Sequence, residues 1–148
     1  MSYNIIGDIY VDNNKVCSVY LDNLKILNRT RYSIDFDKEL QHTGDGEHWY
    51  DINSFTSARN AYEKHYEKMI EKKTKLLSIK DSIDYYKLSE NERNDLLQDI
   101  EYSAEETQEV LWKLLSCERM VGLCEHYSEN IKEEEYTIKN VKIYIYAE

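Results

Sequence analysis

The chain of 148 residues has no proline, only four glycines and three cysteines. Without proline there is no rigid linker to divide the chain, and no internal repeat or low-complexity segment divides it either. A length of 148 residues is typical of one domain and is enough for a hydrophobic core that needs neither disulfides nor metals. We therefore expect a single domain over residues 1–148.

The three cysteines, Cys17, Cys117 and Cys124, are odd in number and form no CxxC pair. The opening residues, MSYNIIGDIYVD, have no basic segment followed by an apolar run, and no stretch of about 18 apolar residues occurs elsewhere. These absences argue against a disulfide framework and predict a reduced, cytoplasmic protein without a membrane span. Because Cys117 and Cys124 are two helical turns apart, we interpret them as apolar residues of a helix interface.

Positive charge is also scarce, since 19 Lys and Arg face 29 Asp and Glu, a net charge of −10. This surplus opposes direct contact with nucleic-acid phosphates or an anionic membrane and favours a basic protein partner. With 41% hydrophobic residues and 14 tyrosines the chain is expected to fold. Ile, Asn, Lys and Tyr far outnumber Gly, Ala, Pro and Arg, which is typical of AT-rich genomes of bacteria and mobile elements.

Both ends of the chain have β-strand patterns. Residues 3–37 consist of short β-prone runs separated by polar pairs, which predicts a meander of three or four antiparallel strands. Apolar and polar residues alternate most clearly over residues 32–36. The same alternation recurs near the other end, so we expect a last strand within 136–146 that returns to the N-terminal sheet.

A first helix is predicted after Asn53 or Ser54, either of which can serve as its N-cap. From there, apolar residues recur at steps of three and four. Because Lys73 and Lys80 interrupt this stripe, we expect its far end to be partly exposed. The apolar positions are Phe55, Ala58, Tyr62, Tyr66, Met69, Leu76 and Ile83.

A second long helix is predicted after Ser89, because Ser89 and Glu92 have the spacing of a capping box. Its apolar positions continue to Ile131. Each helix has an apolar stripe to bury, so the two are expected to pack as an antiparallel hairpin over 54–134. The predicted fold class is α+β, with a small antiparallel sheet from both chain ends and an inserted long antiparallel helical hairpin.

The two helices differ in charge. From Arg59 to Lys80 there are seven basic and three acidic residues, a net of +4, whereas from Glu90 to Glu135 there are fourteen acidic and four basic residues, a net of −10. One interpretation is a solvated face on which neighbouring charges neutralise each other. The other is an acidic ridge that docks into a cationic groove. The residues of that ridge would be Glu101, Glu105, Glu106 and Glu109.

The stretch HTGDGEHWYD, from His42 to Asp51, is rich in residue types that take part in catalysis or metal binding. His42, His48 and Asp51 are residue types that bind metals or transfer protons. Their spacing, however, matches neither HExxH nor a P-loop nor an EF-hand. We favour a tight turn followed by Trp49, Tyr50 and Ile52 as the anchor that pins the loop to the core. A small metal-dependent hydrolase is kept as a third hypothesis. No nucleophile elbow is present either, so we expect no enzyme and no cofactor.

Function can be inferred only at the level of class. The leading hypothesis is a non-enzymatic acidic inhibitor of a nucleic-acid-handling protein, most concretely a phage or mobile-element inhibitor of a bacterial defence nuclease, in the manner of anti-CRISPR proteins. Besides the four glutamates, we expect Tyr85, Tyr86 and Trp49 to anchor the partner, since aromatic residues are favoured at interfaces. The alternative is a self-associating assembly protein, a homodimer with a coiled-coil-like hairpin.

Overall fold

The structure is a computed structural model that describes residues 4–21, 25–29, 34–36, 38–132 and 135–148, with side chains for 4–21, 38–129 and 138–148. The strands are β1 (Ile5–Val11), β2 (Asn14–Tyr20), β3 (Lys25–Arg29), β4 (Ile34–Phe36), β5 (Trp49–Tyr50), β6 (Glu129–Lys132), β7 (Glu135–Ile138) and β8 (Val141–Ala147). The helices are α1 (Ile52–Lys80), α2 (Asp84–Lys87) and α3 (Glu90–Ser128). None of these helices combines the length and the apolarity that crossing a membrane requires.

The central sheet has the strand order β2-β1-β8-β5, and all its neighbours are antiparallel. Strand β1 pairs with β8 along its whole length, from Ile5 opposite Ala147 to Val11 opposite Val141. With the helical hairpin inserted between β5 and β8, this pairing confirms the predicted α+β fold.

The expected N-terminal meander is not continuous. Strand β2 is the edge strand of the central sheet, and among the described strands none continues the ladder from β2, so β1 and β2 are the part of the expected meander that joins this sheet. Strands β3 and β4 pair with each other, as do β6 and β7. The side-chain alternation expected over 32–36 lies outside the residues whose side chains are described.

Helix α1 has its N-cap two or three residues earlier than the apolar pattern suggests. The Asp51 carboxylate accepts hydrogen bonds from the backbone N–H groups of Asn53 and Ser54, at 3.0 and 3.1 Å, and Ser54 Oγ accepts from the Asp51 N–H at 3.1 Å. This capping box makes Asp51 the N-cap, so the assignment to Asn53 or Ser54 was wrong. The capping box of α3 is confirmed, since the Glu92 N–H donates to Ser89 Oγ at 3.2 Å.

Helix α3 ends at Ser128, earlier than the expected continuation to Ile131 and the hairpin boundary at 134. The next residues form β6, which pairs with β7 from Glu129 opposite Ile138 to Lys132 opposite Glu135. The backbone N–H and C=O groups of these residues therefore form hydrogen bonds between β6 and β7 and do not extend the helix.

On α1, burial is confined to the base of the hairpin, whereas on α3 it continues to Leu96, near the tip. At 1.5 Å per residue, α1 is about 43 Å long and α3 about 58 Å. The buried residues of α1 all lie in its first three turns, whereas Met69 and Leu76 are half-buried and Ile83, beyond its end, is 74% exposed. This gradient confirms the partial exposure expected from the Lys73 and Lys80 interruptions.

The core lies between the inner face of the sheet and the base of the hairpin. It comprises alternate residues of β1 and β8 together with the first turns of α1 and the second half of α3. Cys117 and Cys124 are both buried there, as expected for apolar residues of a helix interface. The opposite face of the sheet carries Asp8, Tyr10 and Tyr144. Two candidate sites lie outside this core.

Candidate functional site

Four glutamates follow one another along the middle of α3. Glu101, Glu105 and Glu106 are exposed and Glu109 is half-buried. At 100° per residue, Glu101, Glu105 and Glu109 fall within about 80° of the helix surface, and Glu106 lies about 100° from Glu105. We call these four residues the acidic stripe.

Most of the acidic stripe is not neutralised locally. Within the described part of the chain, no basic side chain approaches Glu101, Glu105 or Glu106 within 4.0 Å, whereas Glu109 lies 3.9 Å from Lys113 Nζ. Helix α3 has ten acidic and three basic residues, a net of −7, and α1 has three acidic and seven basic, a net of +4. Glu109 therefore fits the interpretation that neighbouring charges neutralise each other. The other three glutamates do not.

A tryptophan lies on the same side of α3 as these carboxylates. Trp112 follows Glu105 by seven residues, which places it about 20° from Glu105 around the helix. Its side chain is 51% exposed. The sequence did contain a signal for this: Trp112 falls between Leu111 and Leu114, out of phase with the buried positions. A large exposed aromatic residue among charges is typical of an interface anchor.

A second exposed row of α3 is apolar. Leu97, Ala104 and Leu111 follow at seven-residue steps, and Leu115 comes one turn later on the same side. Leu97 and Leu115 are 39% and 50% exposed, while Ala104 and Leu111 are half-buried. We call these four residues the apolar row.

A groove of about 390 Å³ borders the acidic stripe between α1 and α3. Glu106 and Glu109 lie on its α3 side, where the Lys113 ammonium is 5.9 Å from the centre of the Tyr62 ring. On the α1 side, His65 Nε2 is 3.5 Å from Glu39 Oε1. Acidic and basic groups are thus mixed at this rim, unlike on the outer surface of α3.

The three aromatic residues expected to anchor a partner are not brought together. Tyr86 is 76% exposed in α2, and Tyr85 is half-buried under the Arg93 guanidinium, 5.9 Å from the ring centre. Trp49 lies at the other end of α1, about 43 Å away along the helix. A single interface can include α2 or Trp49, but only an extended partner would contact both.

The three candidate metal ligands of the 42–51 loop, His42, His48 and Asp51, each contact a different part of the structure. Asp51 caps α1, His42 Nδ1 is 2.9 Å from the Thr43 carbonyl oxygen, and the His48 ring centre is 5.9 Å from that of Tyr144. Gly46 and His48 have positive φ values of 131° and 75°, which matches the expected tight turn. In the part of the chain described here, no three His, Cys, Asp or Glu side chains are grouped so that they could hold a metal ion.

Trp49 is held on the outer face of the sheet. Its ring centre is 5.1 Å from that of Tyr10 and 5.1 Å from that of Tyr144, both at steep angles. The neighbouring Tyr50 points to the other side and is buried in the core. The anchor expected in this loop is therefore divided, with Tyr50 in the core and Trp49 among surface aromatics.

The cysteines allow a test of the packing. Cys124 is buried, and burial, followed by the nearby Asp51 and Glu125 carboxylates, raises the pKa of its thiol to about 12. Since the thiolate is the reactive form, Cys124 is expected to be inert near pH 8, as is the buried Cys117. Cys17 is half-buried.

We expect one thiol of the native protein to react rapidly with a chromogenic disulfide reagent and three to react in denaturant. The variant Cys17→Ser should remove the rapid phase. Rapid reaction of two or more thiols in the native state would contradict the packing of α3.

Comparison of the chain with protein-family models, with curated proteins and with solved structures finds no match.

Proposed function

We propose that this protein is a non-enzymatic, acidic inhibitor that binds the cationic surface of a nucleic-acid-handling protein through α3. The concrete form we propose is a phage or mobile-element inhibitor of a bacterial defence nuclease. The observation that carries the proposal is the acidic stripe, whose Glu101, Glu105 and Glu106 are exposed and form no ion pair within 4.0 Å among the described residues, on a helix of net charge −7.

The physical basis is competition for the side chains that bind phosphate. Lys and Arg groups that line a nucleic-acid channel attract any dense line of negative charge and release counterions when they bind it. Glu101, Glu105 and Glu109 lie about 6 Å apart along the axis, a lower charge density than that of duplex DNA. Charge alone would therefore be a weak competitor, and Trp112 supplies apolar area within the same surface.

Affinity capture tests this proposal. The tagged full-length chain is exposed to a bacterial lysate at about 50 mM and about 500 mM salt, since the higher concentration screens exposed charges beyond a few ångströms. We expect a basic nuclease or polymerase at low salt, its loss at high salt, and inhibition of its activity by added protein. Retention that does not depend on salt, or recovery of this chain alone, would contradict the proposal.

The apolar row favours a second candidate, self-association of the hairpin. Leu97, Ala104, Leu111 and Leu115 recur at steps of seven, seven and four residues, which is the spacing of a helix-pairing seam. In this candidate the protein is an assembly protein and the acidic surplus serves solubility.

Light scattering after size exclusion separates the two candidates. For self-association we expect a mass of about twice 17.8 kDa at micromolar concentration, reduced to that of the monomer by Leu97→Glu with Leu115→Glu. The exposed tip residue Tyr86, changed to Glu, is the matched control and should leave the mass unchanged. A wild-type monomer at all concentrations would exclude this candidate.

A further inference from the structure

A small pocket lies on the outer face of the central sheet, away from the helices. It forms where the β1–β2 turn, the loop before β5 and the start of β8 meet, and its volume is about 270 Å³. Nothing in the acidic stripe or the apolar row contributes to it. The lining residues are Tyr10, Asn13, Asp45, Trp49, Asn140 and Lys142.

One wall of the pocket is aromatic and firmly held. Trp49 packs against both Tyr10 and Tyr144, with 5.1 Å between the ring centres of each pair. Its backbone is fixed as well, because the Trp49 carbonyl accepts from the Thr43 N–H at 2.7 Å and the Trp49 N–H donates to the Gly46 carbonyl at 3.3 Å. Trp49 remains half-exposed, so a ligand in the pocket meets a rigid aromatic surface.

The facing rim consists of two amide side chains on interlocked turns. The Asp12 N–H donates to the Asn140 carbonyl at 2.8 Å, and the Asn140 N–H donates to Asp12 Oδ1 at 2.9 Å. The side-chain amides of Asn13 and Asn140 make no hydrogen bond with any residue that the structure describes. Each offers a carbonyl acceptor and two N–H donors to a ligand, on a rim that needs no reorganisation.

The two charged residues of the pocket neutralise each other. Lys142 Nζ donates to Asp45 Oδ1 at 3.0 Å, and Thr43 Oγ1 donates to Asp45 Oδ2 at 2.9 Å. The hydrogen bond from Lys142, and then that from Thr43, lowers the pKa of Asp45. An ionic ligand would have to separate this pair, whereas a neutral ligand can hydrogen-bond to its outer side.

We propose that this pocket binds a single sugar ring. The C–H face of a pyranose fits the Trp49 and Tyr10 wall, and its hydroxyl groups are both donors and acceptors, as the Asn13 and Asn140 amides require. A volume of about 270 Å³ is just below the usual range for drug-sized ligands and suits one ring. The ring is either a free monosaccharide or the terminal residue of a glycan.

Two other ligand classes fit less well. A nucleobase would stack on Trp49, but in cells it carries phosphates, which a net charge of −10 repels. An alkylammonium ion would suit an aromatic wall, but Asp45, the carboxylate among the described lining residues, is already paired with Lys142. Both classes serve as comparison probes in the test.

The test uses NMR titration of the full-length protein with glucose, galactose, mannose and N-acetylglucosamine, and with their methyl glycosides as mimics of glycan-linked rings. The Trp49 indole N–H resonance reports on the pocket, and that of Trp112 on α3 is an internal reference. For at least one sugar we expect a saturable shift of the Trp49 resonance alone, with a dissociation constant of about 1 to 10 mM, as ligands of this size reach. Binding of the methyl glycoside in addition to the free sugar points to a glycan, and binding of the free sugar alone to a monosaccharide.

Variants define the site further. Asn13→Gly, which suits the positive φ of 68° at this turn position, and Asn140→Ala are each expected to weaken binding by about 5- to 10-fold through the loss of one hydrogen bond. Tyr20→Ala changes an exposed residue of β2 outside the pocket and should leave the affinity unchanged. The proposal is overturned by no saturable shift with any sugar, by wild-type affinity in both asparagine variants, or by binding of uridine or choline in place of sugars.

Discussion

Reversing Glu101, Glu105 and Glu106 to lysine is expected to slow association with the captured basic partner by about 10- to 100-fold at low salt. These carboxylates are exposed and form no ion pair within 4.0 Å among the described residues, so the change removes long-range attraction without breaking an ion pair of the fold. The rate constant should also lose most of its dependence on salt. Stopped-flow or biolayer measurements at several salt concentrations give both quantities.

A matched control separates the position of the charge from its amount. Glu63, Glu67 and Glu71 are exposed on α1, and their reversal to lysine also raises the net charge by six, from −10 to −4. We expect this second variant to slow association by less than about 3-fold, because its changed charges lie on the other helix. Equal slowing in both variants would assign the effect to net charge, and no slowing in the first would refute binding through the acidic stripe.

The substitution Phe55→Ala is expected to cost about 3 to 5 kcal/mol of the free energy of unfolding. Phe55 is fully buried in the first turn of α1, with its ring 6.3 Å from that of Tyr50. Its removal leaves a cavity where helix α1 and the sheet meet. The loss is a large share of the total stability of a small domain and is measured by chemical denaturation followed by circular dichroism.

Two further variants keep this experiment informative. Phe55→Leu retains most of the side-chain volume and should fold even where Phe55→Ala does not, at a smaller cost. Tyr86→Ala removes an aromatic ring that is 76% exposed at the hairpin tip and should change stability by less than about 0.5 kcal/mol. A loss below about 1 kcal/mol for Phe55→Ala would contradict the packing at the base of the hairpin.

Local sequence patterns determined the main elements of this fold. The three- and four-residue apolar steps and the Ser89 capping box predicted both long helices, and strict alternation near the end of the chain predicted β8. Boundaries were less predictable. Asp51 was missed as the N-cap because it precedes the apolar pattern, and the end of α3 was missed because the stop comes from pairing between β6 and β7, which helical periodicity does not report.

The candidate sites were harder to predict than the fold. The acidic stripe is visible in sequence because its residues are close neighbours on one helix. By contrast, Tyr10, Asp45 and Lys142 meet only through the register of β1 with β8 and the return of the loop before β5. The sequences of two distant strands do not by themselves reveal the register in which the strands pair, and therefore not which residues lie opposite each other.

The pairing of β1 with β8 also bears on how the chain folds during synthesis. Ile5 lies opposite Ala147, so β1 cannot complete its pairing until the chain has been synthesised as far as Ala147. The helical hairpin, whose contacts are local, can form first and present its apolar base as a template. Until β8 arrives, one edge of β1 is unpaired, and this interval is when the nascent chain is most exposed to aggregation and to chaperones.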